Sequence, residues 1–240
     1  MKTVPMNNPT SPSSALTAAR CSVTFGAGTD SAVHALKDVS VTIQPGQSVS
    51  IMGPSGSGKS TLLHILAGIL KPDAGEVRLD EEPVSLANDA ARSALRRKRF
   101  GFVFQDGQLL AELTAEENVA LALMLNGVGR AAALREARPW LARLGLAGME
   151  TRRPGQLSGG QAHRVAIARA LVHHPDVVMA DEPTGALDQA TGAEAMATLV
   201  QATADAGASL VVVTHDERVA AACERHLMIL DGRIDSDSGC

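Results

Sequence analysis

Gly53-Pro54-Ser55-Gly56-Ser57-Gly58-Lys59-Ser60-Thr61 stands between an apolar run, Ser48-Val49-Ser50-Ile51-Met52, and a segment of helical periodicity that begins near Lys59. Glycine, four residues, then Gly-Lys-Ser is the spacing of a phosphate-cradling loop, and strand, loop, helix is the context such a loop requires. The glycines allow tight turning and bring successive backbone N–H groups onto an anion with no Cβ in the way. The helix that follows adds the positive end of its dipole. Lys59 is then placed to reach β- and γ-phosphates, and the Ser60 hydroxyl to ligate Mg²⁺. A Gly/Ser-rich surface loop is the plainer alternative, and the apolar strand in front of it argues against that.

The 240 residues suit one large α/β domain or a domain carrying an inserted subdomain, and 45% hydrophobic with 20% charged content is ordinary for a globular chain. A net charge of −4 argues against nucleic acid as the principal partner. With no Tyr, one Trp and four Phe, few side chains are able to stack on a base. Cys21, Cys223 and Cys240 fit no metal or redox spacing, so free thiols in a reducing compartment are expected. The first residues lack the apolar core of a signal peptide, and runs such as Ser209 to Val213 fall far short of the roughly 18 residues that span a bilayer. A cytoplasmic location follows, with any membrane role reached through a partner.

Residues 1–19 are Pro-, Ser-, Thr- and Asn-rich and read as a disordered tail. Alternation over Cys21 to Phe25 and Val39 to Ile43 predicts antiparallel strands, joined by Glu76 to Leu79 in a side sheet. A helix is expected from Lys59 to about Leu70, ended by Lys71-Pro72-Asp73-Ala74-Gly75. Asp89 to Arg99 reads as a charged helix whose Arg96-Arg97-Lys98-Arg99 end is solvated. Phe100 to Phe104 is a buried strand closing on Gln105. Helical periods from Leu113 to Leu146, broken at Gly127-Val128-Gly129, predict a helical insertion over about 106–158, packed by Trp140 and Leu141 to Leu146. A helix follows Ser158-Gly159-Gly160 as far as His173. Val177 to Ala180 and Ser209 to Val213, with helices between them, argue for a parallel sheet covered on both faces. Leu227 to Leu230 is the last strand, and residues 236–240 are read as a mobile end.

Val177-Val178-Met179-Ala180 ends in Asp181-Glu182, and ligands of parallel sheets collect at such C-terminal edges. Asp181 suits a second contact to Mg²⁺. Glu182, one residue further out, suits a base aimed at the water attacking a γ-phosphate, a role worth roughly 10²–10⁴-fold in rate. His173-His174 needs no more than a helix end before Pro175.

Gly53 to Thr61, Gln105, Leu157-Ser158-Gly159-Gly160-Gln161, Val177 to Glu182, Gly185-Ala186-Leu187-Asp188 and His215 resemble, in order and spacing, the nucleotide-binding subunit of ATP-binding-cassette (ABC) transporters. The resemblance covers roughly residues 20–235, and Leu157 to Gln161 is its sharpest part. It implies an α/β fold of the P-loop NTPase class: a RecA-like parallel sheet core, an antiparallel β side sheet and an inserted α-helical subdomain. ATP and Mg²⁺ are the implied ligands. Ser158, Gly159, Gly160 and Gln161 then form a second anion site that contacts the γ-phosphate on another copy, so two chains sandwich two ATPs head to tail. Gln105 resembles the residue that approaches Mg²⁺ and water and relays nucleotide state to the membrane partner. His215 resembles the switch histidine on the γ-phosphate, and Asp188 the aspartate coupling the two sites. Phe25 falls where the family stacks an aromatic on adenine, although a core Phe in the side sheet is the alternative. Two departures from the usual pattern, Ala162-His163 on the helix flank and Gly185-Ala186, remove no catalytic group.

Within the family, Val33 to Leu36, Met52 to Leu63, Phe102 to Gln105 and Ala180 to Gly185 resemble the branch of lipoprotein-release, macrolide-export and antimicrobial-peptide-resistance ATPases. That branch implies an ATPase subunit, peripheral at the inner face of the cell membrane, driving a separate permease that docks mainly on residues 105–158. An ATP-dependent regulatory clamp on a membrane enzyme or division complex is the alternative. A cassette protein acting on DNA or ribosomes fits less well, given the acidic balance.

Overall fold

The computed structural model describes residues 14–29, 31–105 and 108–239. β1 (Leu16–Phe25) and β2 (Val33–Ile43) pair antiparallel, and β3 (Ser48–Met52) leads through the glycine-rich loop into α1 (Lys59–Leu66). β4 (Ala74–Leu79) and the two-residue β5 (Glu82–Pro83) complete an antiparallel sheet of order β2-β1-β4-β5. After α2 (Asp89–Arg99) and β6 (Phe100–Phe104) come α3 (Ala115–Met124), α4 (Arg130–Arg143) and α5 (Gly159–Leu171). Strands and helices then alternate: β7 (Val177–Asp181), α6 (Gln189–Asp205), β8 (Ser209–Val213), α7 (Glu217–Ala220), β9 (Arg225–Leu230), with β10 (Arg233–Asp237) closing a hairpin.

The second sheet has the order β10-β9-β3-β8-β7-β6, parallel at every pairing from β9 to β6. Strands covered on both faces read as unbroken apolar runs, and side-chain alternation decides what covers each face. Val177, Met179, Val211, Val213, Leu227 and Ile229 share one core with Leu62, Ile65 and Leu66 of α1 and with the antiparallel sheet. Val178, Ala180, Leu210 and Val212 share the other with α3, α4, α5 and α6. Because both faces of β7 are apolar, its register is set by volume and by its end: a one-residue slip would exchange Met179 and Ala180 between two close-packed cores and draw the Asp181 carboxylate into the apolar run. That fixed register has a functional result. Ile51 pairs with Val213, Val213 with Asp181, and Asp181 with Phe104, so Gly53, Thr214, Glu182 and Gln105 all emerge at one edge.

Four expectations need correction. The chain is ordered in a strand from Leu16, inside the expected tail, because Leu16 is fully buried and pairs with both Ile43 and Leu79, while Ser14 Oγ donates to Asp176 Oδ1 at 3.0 Å. Residues 1–13 and Cys240 lie outside the described residues. α1 stops at Leu66 instead of Leu70: Gly68 takes a left-handed φ of +64°, and the Ile69 and Leu70 amides turn back to His64 O. The C-terminal end is paired as far as Asp237, whose carboxylate holds the Arg225 guanidinium at 2.6 Å. The basic run is only partly solvated. Arg99 bridges Asp176, Glu82 and Ser14, and Arg96 Nη1 donates to Gly68 O at 2.6 Å.

Candidate active site

Two glycines of the loop are there for space. A Cβ on Gly53 would lie 2.2 Å from Ile229 O, and one on Gly58 would lie 2.3 Å from Ala35 O, with φ at +146° and +107°. No L side chain fits either position. Gly58 also caps α1 without a side-chain bond, which leaves the helix's first amides to face a ligand. The loop closes through Ser57 N–H to Pro54 O at 3.3 Å. Lys59 Nζ donates to Gly53 O and Pro54 O, both at 2.8 Å, so its ammonium is held over the loop with a third N–H to give.

At the end of β7, Asp181 accepts from Ser60 Oγ at 3.4 Å. Burial pushes its carboxyl above the ordinary value, Glu182 adds to that, and His64, Ser60 and Lys59 oppose it. A desolvated carboxylate beside a hydroxyl is relieved by a hard cation, and hydroxyl, carboxylate and amide oxygens suit Mg²⁺ better than a soft metal. Gln105, which follows the residue paired with Asp181, packs its side chain on Gly185, where a Cβ would come within 2.9 Å of Nε2. The residues present therefore fit Mg²⁺.

Glu182 leaves the strand in the left-handed region, φ +46°, with its amide on Val213 O at 2.9 Å. For a residue with a Cβ this costs about 1–2 kcal/mol. The turn carries the carboxylate to His215, whose Nδ1 donates to Oε1 at 2.7 Å, while Thr214 Oγ1 donates to Oε2 at 3.3 Å. Sequence reasoning did not anticipate Thr214, which is buried and nothing more than a polar residue at a strand end in the sequence.

A cleft of about 440 Å³ gathers Phe25, the loop residues Ser55, Gly56 and Gly58 to Thr61, Glu182 and His215. Phe25 is 48% exposed and faces this cleft, so it is not part of the side-sheet core. Its cross-strand partner Val33, 57% exposed, lines the same wall with Ala35; the sequence marked both only as part of the branch-like stretch Val33 to Leu36 and not as site residues, because an exposed Val in a strand carries no chemical signal.

Ser158 to Gln161 do not line the cleft. Ser158 caps α5 in a reciprocal box: its Oγ accepts from Gln161 N at 3.3 Å, and Gln161 Oε1 accepts from Ser158 N at 3.0 Å. Ser158 and Gly159 are exposed, and Gly159 and Gly160 abut Leu187 and Thr191. Asp188 caps α6, accepting from Ala190 N and Thr191 N at 3.1 and 3.2 Å; the Thr191 bonds hold its carboxyl below the usual range. His163 is a correction. It is buried in α5, not set on its flank, and desolvation lowers its pKa to about 4.

A second depression, about 260 Å³, lies along the β6 edge between Arg96, Arg97, Phe102, Phe104, Leu125 and Arg169. Phe102 and Phe104 stack there with ring centroids 5.9 Å apart. Among the described residues no helix is long and apolar enough to cross a membrane.

Residues 36–185 match the profile of the ABC transporter family. The lipoprotein-releasing system ATP-binding protein LolD of Geobacter metallireducens is 44% identical over 213 residues, 89% of this chain and 94% of that protein. The macrolide export ATP-binding/permease protein MacB of Chromobacterium violaceum is 47% identical over 215 residues, and this chain spans only 33% of its length. Among solved structures, the dimeric post-hydrolysis state of the ATP-binding cassette MJ0796 bound to ADP and Pi superposes with a TM-score of 0.82 at 39% identity, covering 93% of this chain and 97% of that one. With the phosphate loop, the Asp181-Glu182 strand end and Leu157 to Gln161 in place on this fold, the chain belongs to the ABC transporter family.

Proposed function

We propose that the chain is the ATP-binding and hydrolysing subunit of an exporter-type transporter, two copies closing head to tail on two ATPs to drive a separate membrane permease. The observation that carries this is a division of parts. One cleft holds the loop, Glu182 and His215, while the exposed anion-binding start of α5 lines none of it. A second copy can set its Ser158 hydroxyl and its Gly159 and Gly160 amides on the γ-phosphate, completing each site from two chains. Relatives named for lipoprotein release and macrolide export favour transport over the regulatory clamp.

In this reading the loop amides and Lys59 hold the phosphates, and Phe25 with Val33 supports the base. Ser60, Asp181 and Gln105 would hold Mg²⁺, which would supply positive charge to offset that of the phosphates. Glu182 accepts the proton of the attacking water, and His215 fixes the carboxylate and contacts the γ-phosphate; Asp188 couples the two sites. The Arg- and Phe-lined depression beside Gln105 receives the permease's coupling segment, which would keep the chain at the inner face of the membrane. Sedimentation with Mg²⁺ and a non-hydrolysable ATP analogue tests this: dimer is expected for the native chain and monomer for Lys59→Ala. A native chain that binds the analogue yet stays monomeric at high concentration contradicts the reading.

A further inference from the structure

The turn between β9 and β10 does more than close a hairpin. Asp231 and Gly232 both take positive φ, +47° and +76°, the backbone of a tight two-residue turn. The Gly232 N–H donates to Ser57 O at 3.0 Å, inside the phosphate loop, and the Gly232 carbonyl accepts from Lys37 N at 2.8 Å, on β2. A Cβ at Gly232 would lie 2.8 Å from Ala35 O, the same carbonyl that Gly58 approaches from the loop side. The last residues of β9 press on the loop's other end, because Ile229 O lies where a Gly53 side chain would begin. β2 in turn carries Val33 and Ala35 of the cleft wall. One glycine, remote in sequence from every motif, thus ties the phosphate loop to the strand on the base side. The hairpin holding it is anchored at its far end, where Arg225 pairs with Asp237.

We propose that Gly232 is a positioning residue for nucleotide binding: its peptide unit sets the spacing between the phosphate loop and the Val33-Ala35 wall. This rests on the nucleotide-site reading above. It predicts that a defect at Gly232 weakens nucleotide affinity in a chain that is still folded, which a purely structural turn would not do.

The test replaces a single N–H. Cys223 allows residues 223–240 to be supplied as a synthetic peptide by ligation, with an ester in place of the Gly232 amide, so that every side chain is kept. A second ester, at Gly239, removes an N–H that serves Asp237 Oδ1 at 2.9 Å in the same hairpin but away from the loop. Full-length native, Gly232-ester and Gly239-ester chains are titrated with a fluorescent ATP analogue at a temperature where circular dichroism shows each folded. Loss of one hydrogen bond predicts about fivefold weaker binding for the Gly232 ester and no change for the Gly239 ester. Gly232→Ala, made by ordinary expression, is expected to weaken binding further. If the Gly232 ester melts at a lower temperature but binds with native affinity, the residue is structural only and the proposal fails. If both esters weaken binding equally, general loosening of the hairpin explains the effect and the proposal fails too. A native chain that binds no nucleotide would instead overturn the nucleotide-site reading.

Discussion

Replacing Glu182 with Gln separates proton acceptance from geometry. The amide keeps the side chain's length: its oxygen can accept from His215 Nδ1 where Oε1 stood, and its NH2 can donate to the Thr214 hydroxyl, which accepts as readily as it donates, where Oε2 stood; the left-handed backbone is left as it is. Hydrogen bonds of this kind contribute about 1 kcal/mol each, so keeping both should hold the change in stability within roughly 0.5 kcal/mol. What is lost is basicity. A positioned general base supplies about 10²–10⁴-fold, or about 3–5 kcal/mol of barrier. kcat for phosphate release should therefore fall at least about a hundredfold. ATP affinity should stay near native, because the loop amides and Lys59 are untouched. Steady-state phosphate release gives the first quantity, and direct titration with a fluorescent ATP analogue gives the second. Native turnover in the variant would refute Glu182 as the base, and loss of affinity together with turnover would make it a binding residue.

Phe25→Ala should weaken ATP and GTP to the same degree, about tenfold, since stacking on Phe25 and contact with Val33 do not read the base edge. Parallel titrations decide it, and unchanged affinities would remove Phe25 from the site. His163 predicts an acid sensitivity. Its folded-state pKa of about 4 lies below the ordinary 6.5, so between these values the unfolded chain binds more protons and stability falls as pH falls. The loss should be about 1.5 kcal/mol from pH 6.5 to 5. Urea unfolding at the two pH values measures it. His163→Gln should show a visibly smaller loss, the remainder belonging to groups such as His173, whose pKa burial also lowers. An unchanged pH dependence would contradict the assignment.

Much of the architecture was legible because it is written in short-range patterns. Unbroken apolar runs at Val177 to Ala180 and Leu210 to Val213 foretold a sheet covered on both faces, and the glycine spacing from Gly53 to Gly58 foretold the loop. What escaped depends on contacts distant in sequence. Leu16-Thr17-Ala18-Ala19 has weak strand character alone and becomes a strand only between Ile43 and Leu79. Arg233 to Asp237 looks like a polar end until Asp237 meets Arg225. Arg99 reads as one more surface charge until Ser14, 85 residues before it, and Asp176, 77 residues after it, meet its guanidinium. At the site, the residue types of Asp181, Glu182 and His215 were readable, whereas the left-handed turn at Glu182 was not, since no glycine or asparagine marks it. The link from Gly232 to Ser57 was invisible for the same reason as the strand ends: 175 residues separate its partners.

Mixing two inactive variants tests the shared reaction centre most directly. On the proposed reading, Lys59→Ala removes the phosphate grip of one copy and Ser158→Arg blocks the exposed start of α5 on the other, so each variant alone should hydrolyse almost no ATP. Combined in equal amounts, half of the pairs carry one site with both an intact loop and an intact α5 start, and turnover should return to about a quarter of native. A mixture as inactive as its components, with mixed pairs demonstrated, or a Ser158→Arg chain that hydrolyses ATP at the native rate by itself, would contradict a centre built from two copies.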